Sequence, residues 1–561
     1  MICSRFLKAL GLATIFVSQT ARAAPDNDKA AGIDPAHLSA ITRQLASDEF
    51  EGREPGTPGE QKTVAYIVEK FKAIGLKPAG PDNSWTQPVP LLKTQIADSP
   101  RVSISGGGDS LVLAYPDEIY FSTSRETGAI AVRDAPVVFV GYGAFAPERD
   151  WDDFKEADLR GKVVLFLVND PDFEASAGED ASGRFGDKAM TYYGRWSYKF
   201  EEAQRRGAIA ALVVHETEAA GYGWNVVAGP RGINYSLDKP GMSLSTLAFS
   251  GWITHNAAVT LLKLAGQDFE ELKKEARTKG FRPVDLNITL SVATRVTAER
   301  ITSQNILAML PGTKAADEAI IYGAHWDAFG KENNEEGRTV VHHGAIDNAL
   351  GIGGVIEVAR AFTKGPPPKR SIIFAAWTAE ERGLLGAEYY AEHPTVPLEK
   401  TVANFTFDVL QTLGEARNFV LIGKGQSDLE DLASKAVEQQ GRIITQEMYP
   451  ERGMFFRSDH FAFAKRGVPA LVTMGLAGDP DAIIGGTRAG AEWIRNYTQN
   501  CYHQECDAWS PDWDLTGAAQ DVGLFYRVGD LLANSAIWPQ WKPGSEFRKL
   551  RISSDAARKP Q

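Results

Sequence analysis

The sequence predicts an α/β fold, a mixed β-sheet sandwiched by helices, with a separate and mostly β lobe ahead of that sheet. Three observations carry this expectation. Between about Ser303 and Gln540, strand-like apolar runs ("SQNILAML", "EAIIYGAHWD", "RSIIFAAWT", "VANFTFDVL", "GVPALVTMG") alternate with helical patterns after Asp347 and from about Leu384, which is how a sheet covered by helices on both faces reads. From about Ser99 to Val296 the pattern changes to short strands broken by Gly-rich turns. And 561 residues exceed what one hydrophobic core accommodates, so two or more domains are expected.

In chain order, residues 1–23 read as a secretory signal peptide. Arg5 and Lys8 give a basic start, Ala9 to Val17 an apolar stretch, and Ala21-Arg22-Ala23 a small-x-small cleavage site. Export to a periplasm or out of the cell is therefore expected. Residues 24–98 form the helical start of the main domain, because "HLSAITRQLASDEF" and "EQKTVAYIVEKFKAIGL" repeat apolar residues every three or four positions, with "EGREPGTPG" as a loop between them. Residues 99–296 make the β-rich lobe ("RVSISGGGDSLVLAY", "APVVFVGYGAF", "GKVVLFLVND"), interrupted by one helix in "YKFEEAQRRGAIAALVVH". Residues 297–545 carry the main sheet, and residues 546–561 read as a loose polar tail.

Charge and cysteine usage narrow the function classes. A net charge of −12, with no basic run interleaved with aromatics, argues against a nucleic-acid partner. No segment after the N-terminus approaches the roughly 20 apolar residues of a membrane span. No heptad or fixed-period repeat encodes an oligomeric state. Cys3 lies within the signal, leaving Cys501 and Cys506 as a candidate local disulfide, with free thiols and metal ligation as the open alternatives.

In open α/β sheets, ligands bind beyond the carboxyl ends of the strands. His325 and Asp327 end "AIIYGAH", Glu380 and Glu381 follow "SIIFAAW", Asp408 ends "VANFTF", and Asp347 sits in "HHGAIDNALG" before a helix whose amides favour a carboxylate. Four segments thus deliver acids and a histidine to one edge, and clustered carboxylates repel unless a cation sits among them. Imidazole nitrogen with carboxylate oxygen suits Zn²⁺ or another divalent transition ion. The donors outnumber what one tetrahedral ion uses, which suits two ions about 3.5–4 Å apart sharing a carboxylate.

The ordered motifs "GAHWDAFG", "GAIDNALG", "TAEERGLLG", "NFTFDVL", "FRSDHFAFAKRGVPAL" and "CYHQECDAW" resemble those of the co-catalytic di-zinc peptidases, metallopeptidase family twenty-eight, which includes leucyl aminopeptidases, glutamate carboxypeptidase II and the transferrin receptor. The resemblance covers nearly all of the chain after the signal, and the lobe resembles the protease-associated domain that many members insert. It implies that His325, Asp347, Glu381, Asp408 and His503 hold two Zn²⁺, or Co²⁺ or Mn²⁺, with Asp347 bridging. Asp327 would orient the His325 ring, and Glu380 would be the general base for a metal-bridging water that attacks as hydroxide. His503 rather than His460 is the implied last ligand, since His503 and Asp507 fit the family's H-x-x-x-D pattern. Asp459, His460 and Arg457 would then line the substrate pocket, while His342 and His343 read as exposed-loop residues.

The implied activity is that of an exported exopeptidase acting on peptides, an aminopeptidase in the first instance. A glutamate-carboxypeptidase-like carboxypeptidase is the alternative, for which Arg457, Arg195 and Arg452 are candidate carboxylate partners. A non-catalytic binding protein similar to the transferrin receptor is the alternative of another class.

Overall fold

The computed structural model describes residues 32–96, 99–229, 232–239, 247–333 and 337–558. The expected signal peptide, residues 1–23, lies outside the described residues.

The main sheet runs in the order Ala470–Met474, Thr401–Asp408, Ala315–His325, Arg370–Trp377 and the C-terminal half of Val284–Leu310. The first four strands are parallel, and the fifth is antiparallel both to Arg370–Trp377 and to Thr86–Ile96. Alternate residues of the central strands face opposite layers, as the two-residue period of a strand requires. Ile320, Tyr322 and Ala324 meet the helices Pro35–Leu45, Pro58–Ile74, Leu350–Lys364 and Thr516–Asn534 on one side. Ala319 and Ile321, with Ile373 and Trp377, meet Tyr390 and Phe463 on the other. Burial on both faces explains why "AIIYGAH" and "SIIFAAW" read as unbroken apolar runs. Tyr322 anchors the first layer: its ring stacks on Phe405 with centroids 5.0 Å apart, and its hydroxyl donates to the Phe525 carbonyl at 2.9 Å.

The 27-residue strand Val284–Leu310 passes through position 296 without a break, so the two sheets share one strand. Its N-terminal half pairs with Ala129–Phe139 and Arg101–Gly106, and the lobe sheet continues through Val163–Leu167, Ala210–His215, Phe249–Thr254 and Ile119–Ser122. Several of these pairs are parallel, and the crossovers they need supply helices such as Trp196–Arg205 and His255–Leu264. The lobe is accordingly richer in α/β character than short strands and Gly-rich turns suggest.

The C-terminal segment corrects the expectation of a loose tail. Trp541 and Phe547 are buried, and Arg551, in the helix Arg548–Ser553, donates to the carbonyls of Thr401 and Val402 at 2.9 and 3.1 Å. Its polarity is that of a charged group satisfied by the backbone under the main sheet.

Candidate metal centre

Strand register brings the donors level. His325 pairs with Trp377, and Gly323 with Thr406, so His325 and Asp408 end adjacent parallel strands at the same height. Glu380 and Glu381 lie on the turn just beyond Trp377. Asp347 comes from a π-helical turn, Ala345–Ala349, that leads into Leu350–Lys364. His503 arrives from the segment after Gly486–Asn496 and is the donor furthest from the sheet in the chain.

Asp347 stands at the centre. One of its oxygens is 3.1 Å from His325 Nε2, and the other is 3.3 Å from His503 Nε2. Asp408 Oδ1 is 3.7 Å from His325 Nε2, and Glu381 Oε2 is 3.2 Å from His503 Nε2. Two trios result, His325–Asp347–Asp408 and Asp347–Glu381–His503, each with one donor atom per residue all within 4.8 Å of one another. Glu380 belongs to neither, and its Oε2 lies 3.8 Å from His325 Nε2.

These donors fit a divalent cation. Among the described residues, His325 Nε2, His503 Nε2 and Glu381 Oε1 are buried without a hydrogen-bond partner, an arrangement that is costly unless an ion takes them up. Nδ1 of His325 lies 3.1 Å from the Asp327 carbonyl oxygen; serving that acceptor fixes the proton on Nδ1 and leaves the Nε2 lone pair for a metal. Electrostatics point the same way. Burial, opposed by His325 but reinforced by neighbouring carboxylates, holds Glu380 and Glu381 well above the usual carboxylate range. Burial lowers His325, but Glu380, Asp347 and Asp408 overcome it and hold the imidazole far above its ordinary value. The cluster therefore demands positive charge, and two histidines of mixed N and O donor sets suit zinc.

Several supports were not legible as such in the sequence. Arg53, in the loop expected between the first two helices, is completely buried. Its guanidinium donates to the carbonyls of Trp326, Leu45, His343 and Gly344 at 2.7, 2.7, 2.6 and 2.8 Å, tying together the backbone beside His325 and the approach to Asp347. Burial lowers it to about 10, which leaves it charged at neutral pH. Asp507 accepts from the Ile346 and Asp347 amides at 2.9 and 3.1 Å and from the Tyr497 hydroxyl at 3.0 Å. Asn348 donates to the Phe407 carbonyl at 2.8 Å, joining the Asp347 turn to the strand that carries Asp408. The Asp327 carboxylate accepts the amides of Glu380 and Glu381 at 3.0 and 3.3 Å, so it fixes the paired-glutamate turn while its carbonyl serves the His325 ring. His342 and His343, expected as exposed-loop residues, are only 14% and 17% exposed: His342 ends the strand Thr339–His342 and lines a small cavity with Phe329, Glu381 and His503, and His343 lies 2.8 Å from Asp48.

Asp459 and His460, expected to line the substrate pocket, are completely buried. His460 packs against the Phe455 ring with centroids 4.9 Å apart, and burial pushes it down to about 3. Arg457 lies over the Tyr222 ring of the lobe at 5.2 Å. Cys501 and Cys506 are joined in a disulfide, and their free-thiol and metal-ligand alternatives fall away.

Residues 305–526 match the model for Peptidase family M28. The aminopeptidase from Aneurinibacillus sp. strain AM-1 shares the fold, with a TM-score of 0.50 over 93% of this chain and 97% of that one at 19% identity. Aminopeptidase NAALADL1 of Mus musculus is 35% identical over 136 residues, 23% of this chain and 16% of the mouse protein. The match thus spans about a sixth of that relative's length. The probable lipoprotein aminopeptidase LpqL of Mycobacterium tuberculosis is 22% identical over 452 residues, 78% of this chain and 72% of that protein.

Proposed function

Since the chain carries a Peptidase family M28 domain over residues 305–526, we propose that it is an exported zinc-dependent metallopeptidase that removes residues from the N-terminus of peptides. The observation that carries this reading is the sharing of Asp347 between two donor trios. His325, Asp347 and Asp408 would hold one ion and Asp347, Glu381 and His503 the other, with Co²⁺ or Mn²⁺ as alternatives to Zn²⁺. Ions bound there would acidify water and polarise the scissile carbonyl.

The protein's own residues supply the rest. Glu380, buried but free of both trios, takes a proton from water at its carboxylate and returns it to the leaving amine. Asp327 holds the two adjacent amides, and the carboxylates part, Glu380 towards His325 and Glu381 towards His503, which suits different tasks. Acidic groups around the centre suit a free α-amine, and the relatives compared above are named as aminopeptidases. Export is supported by the signal-like pattern of residues 1–23 and by the Cys501–Cys506 disulfide, which persists in oxidising compartments. The lobe, residues 99–296, is read as the inserted protease-associated domain on its sequence likeness.

One observation favours a second reading, cleavage from the carboxyl end. Among the described residues, Arg195 Nε and Arg457 Nε and Nη2 are buried without hydrogen-bond partners, and Arg195 is lowered to about 10 by burial and then by Arg457. Two buried guanidiniums near enough for one to lower the other would suit an α-carboxylate. A purely binding role is disfavoured by the presence of all five donors and Glu380.

A panel of free, N-acetylated and C-amidated peptides, assayed with and without chelator, separates these readings. The proposal expects free and C-amidated peptides to be cut from the N-terminus, N-acetylated ones to resist, and chelator to abolish turnover until zinc is restored. Release of C-terminal residues from N-acetylated peptides would establish the second reading. Turnover indifferent to chelator would overturn both.

A further inference from the structure

His503 is held differently from the other donors. His325 and Asp408 end strands of the main sheet, and Glu381 sits on a turn fixed by Asp327, whereas His503 lies in a segment that is neither helix nor strand. Its backbone is left-handed, with φ 61°, a conformation a β-carbon disfavours. Its side chain is 32% exposed, against 1% for His325. The segment's own backbone bonds are local: Tyr502 N–H donates to the Tyr497 carbonyl and Gln504 N–H to the Cys501 carbonyl, both at 2.8 Å, and Asp507 N–H to the Gln504 carbonyl at 3.1 Å. Tyr502 stacks on the imidazole with centroids 3.7 Å apart, and Phe329 lies 4.6 Å away. These contacts set the tilt of the ring, and none of those backbone bonds is made by the His503 amide or carbonyl.

One covalent link closes around it. Cys501 and Cys506, with Cα atoms 4.9 Å apart, bracket His503 in a six-residue ring. Asp507, the next residue, accepts the amides of Ile346 and Asp347, so the ring is anchored at one end to the turn that carries the shared carboxylate. Within the ring, Glu505 pairs with Arg338 through two bonds of 2.6 Å. The ring therefore spans the distance from the Asp347 turn to the imidazole that faces it.

We propose that the Cys501–Cys506 disulfide is a positioning element for the Asp347–Glu381–His503 trio, holding His503 at ligand distance from Asp347 and Glu381, and that the His325–Asp347–Asp408 trio does not depend on it. This rests on the two-ion reading above. Opening the ring lets the left-handed turn at His503 relax, and the imidazole withdraws from one site only. The protein then keeps one ion tightly and releases the other.

The test is a zinc titration of metal-free full-length protein against a competing chelating dye, for wild type and for the Cys501→Ser/Cys506→Ser double variant. Wild type should bind two ions. The double variant should bind the first with unchanged affinity and the second about 10- to 100-fold more weakly, the usual effect of losing a group that orients a ligand. His503→Ala should reproduce that pattern. If the serine variant does not fold, wild-type protein is reduced with a water-soluble phosphine. The phosphine gives up an electron pair and takes oxygen from water, and each sulfur leaves as a thiol. The thiols are capped with iodoacetamide and the protein is titrated in the same way. Two ions bound with wild-type affinities after ring opening, or equal weakening of both, would overturn the proposal. Failure of the intact wild type to bind two ions would instead overturn the two-ion reading.

Discussion

Gly344→Ala adds one methyl group where the structure has no room for it. Gly344 adopts φ 52° just before the Asp347 turn, and a β-carbon there would stand 2.4 Å from the Asp347 carbonyl oxygen, 2.7 Å from Ala328 Cβ and 2.8 Å from Arg53 Nη2. Ordinary contact begins at 3.4 Å, so the Asp347 backbone must retreat by about 1 Å, the difference of the two distances. A displacement of about 1 Å of a group that positions reacting atoms costs about 100-fold in rate. The left-handed backbone adds roughly 1–2 kcal/mol for alanine, and overpacking against fixed backbone roughly 1–3 kcal/mol. The expected outcome is a folded but less stable protein whose kcat/KM on a free peptide falls about 100-fold, with weaker zinc binding by dye competition. Gly75→Ala is the control. Gly75 also has a left-handed backbone, φ 90°, but nothing lies within 4 Å of its added carbon, so it should lose some stability and no activity. Gly344→Ala within about threefold of wild type, or Gly75→Ala losing as much, would refute the assignment of the loss to displacement of Asp347.

Three further outcomes are expected. Arg53→Met removes a buried cation that serves four carbonyls, and bonds to charged groups contribute about 1.5–3 kcal/mol each without adding fully. Calorimetry of the metal-free protein should show a marked fall in unfolding temperature that Arg53→Lys does not restore, because an ammonium lacks the planar fork; full rescue by lysine would argue against the geometry. Asp507→Asn turns one acceptor of the Asp347 turn into a donor, so zinc affinity should fall about 10- to 100-fold, and an unchanged affinity would count against its supporting role. His460 is held near 3 by burial, below its ordinary 6.5, so the unfolded chain takes up a proton the folded one refuses. Stability present above about pH 6.5 is then lost as pH falls towards 3, at up to about 1.36 kcal/mol per pH unit. His460→Phe should flatten that acid limb by one proton, and parallel acid limbs for the two proteins would show that His460 does not contribute.

The layered sheet and the gathering of His, Asp and Glu side chains at one edge of it were legible because their signals are local. Each parallel strand is buried on both faces, so "AIIYGAH" followed by Asp327 and "VANFTF" followed by Asp408 announce both the strand and the acid at its end. Arg53 was not legible, since a charged residue in a Gly- and Pro-rich loop looks solvated until the four carbonyls it serves, from Leu45 to Gly344, are brought around it. The burial of Asp459 and His460 is likewise a property of packing: "SDH" beside aromatic residues reads equally as wall or as core. The continuity of Val284–Leu310 through position 296 escaped detection because composition changes there while the backbone does not. The tail looked loose because Arg551 is polar, and only the fold supplies its carbonyl partners.

In the proposed function one carboxylate, Asp347, serves two ion sites at once. Zinc stoichiometry of purified protein across three alanine variants tests it directly. The expected result is two ions per chain in wild type, one in His325→Ala, one in His503→Ala, and neither at full affinity in Asp347→Ala. An Asp347→Ala protein that retains a tightly bound ion would contradict it.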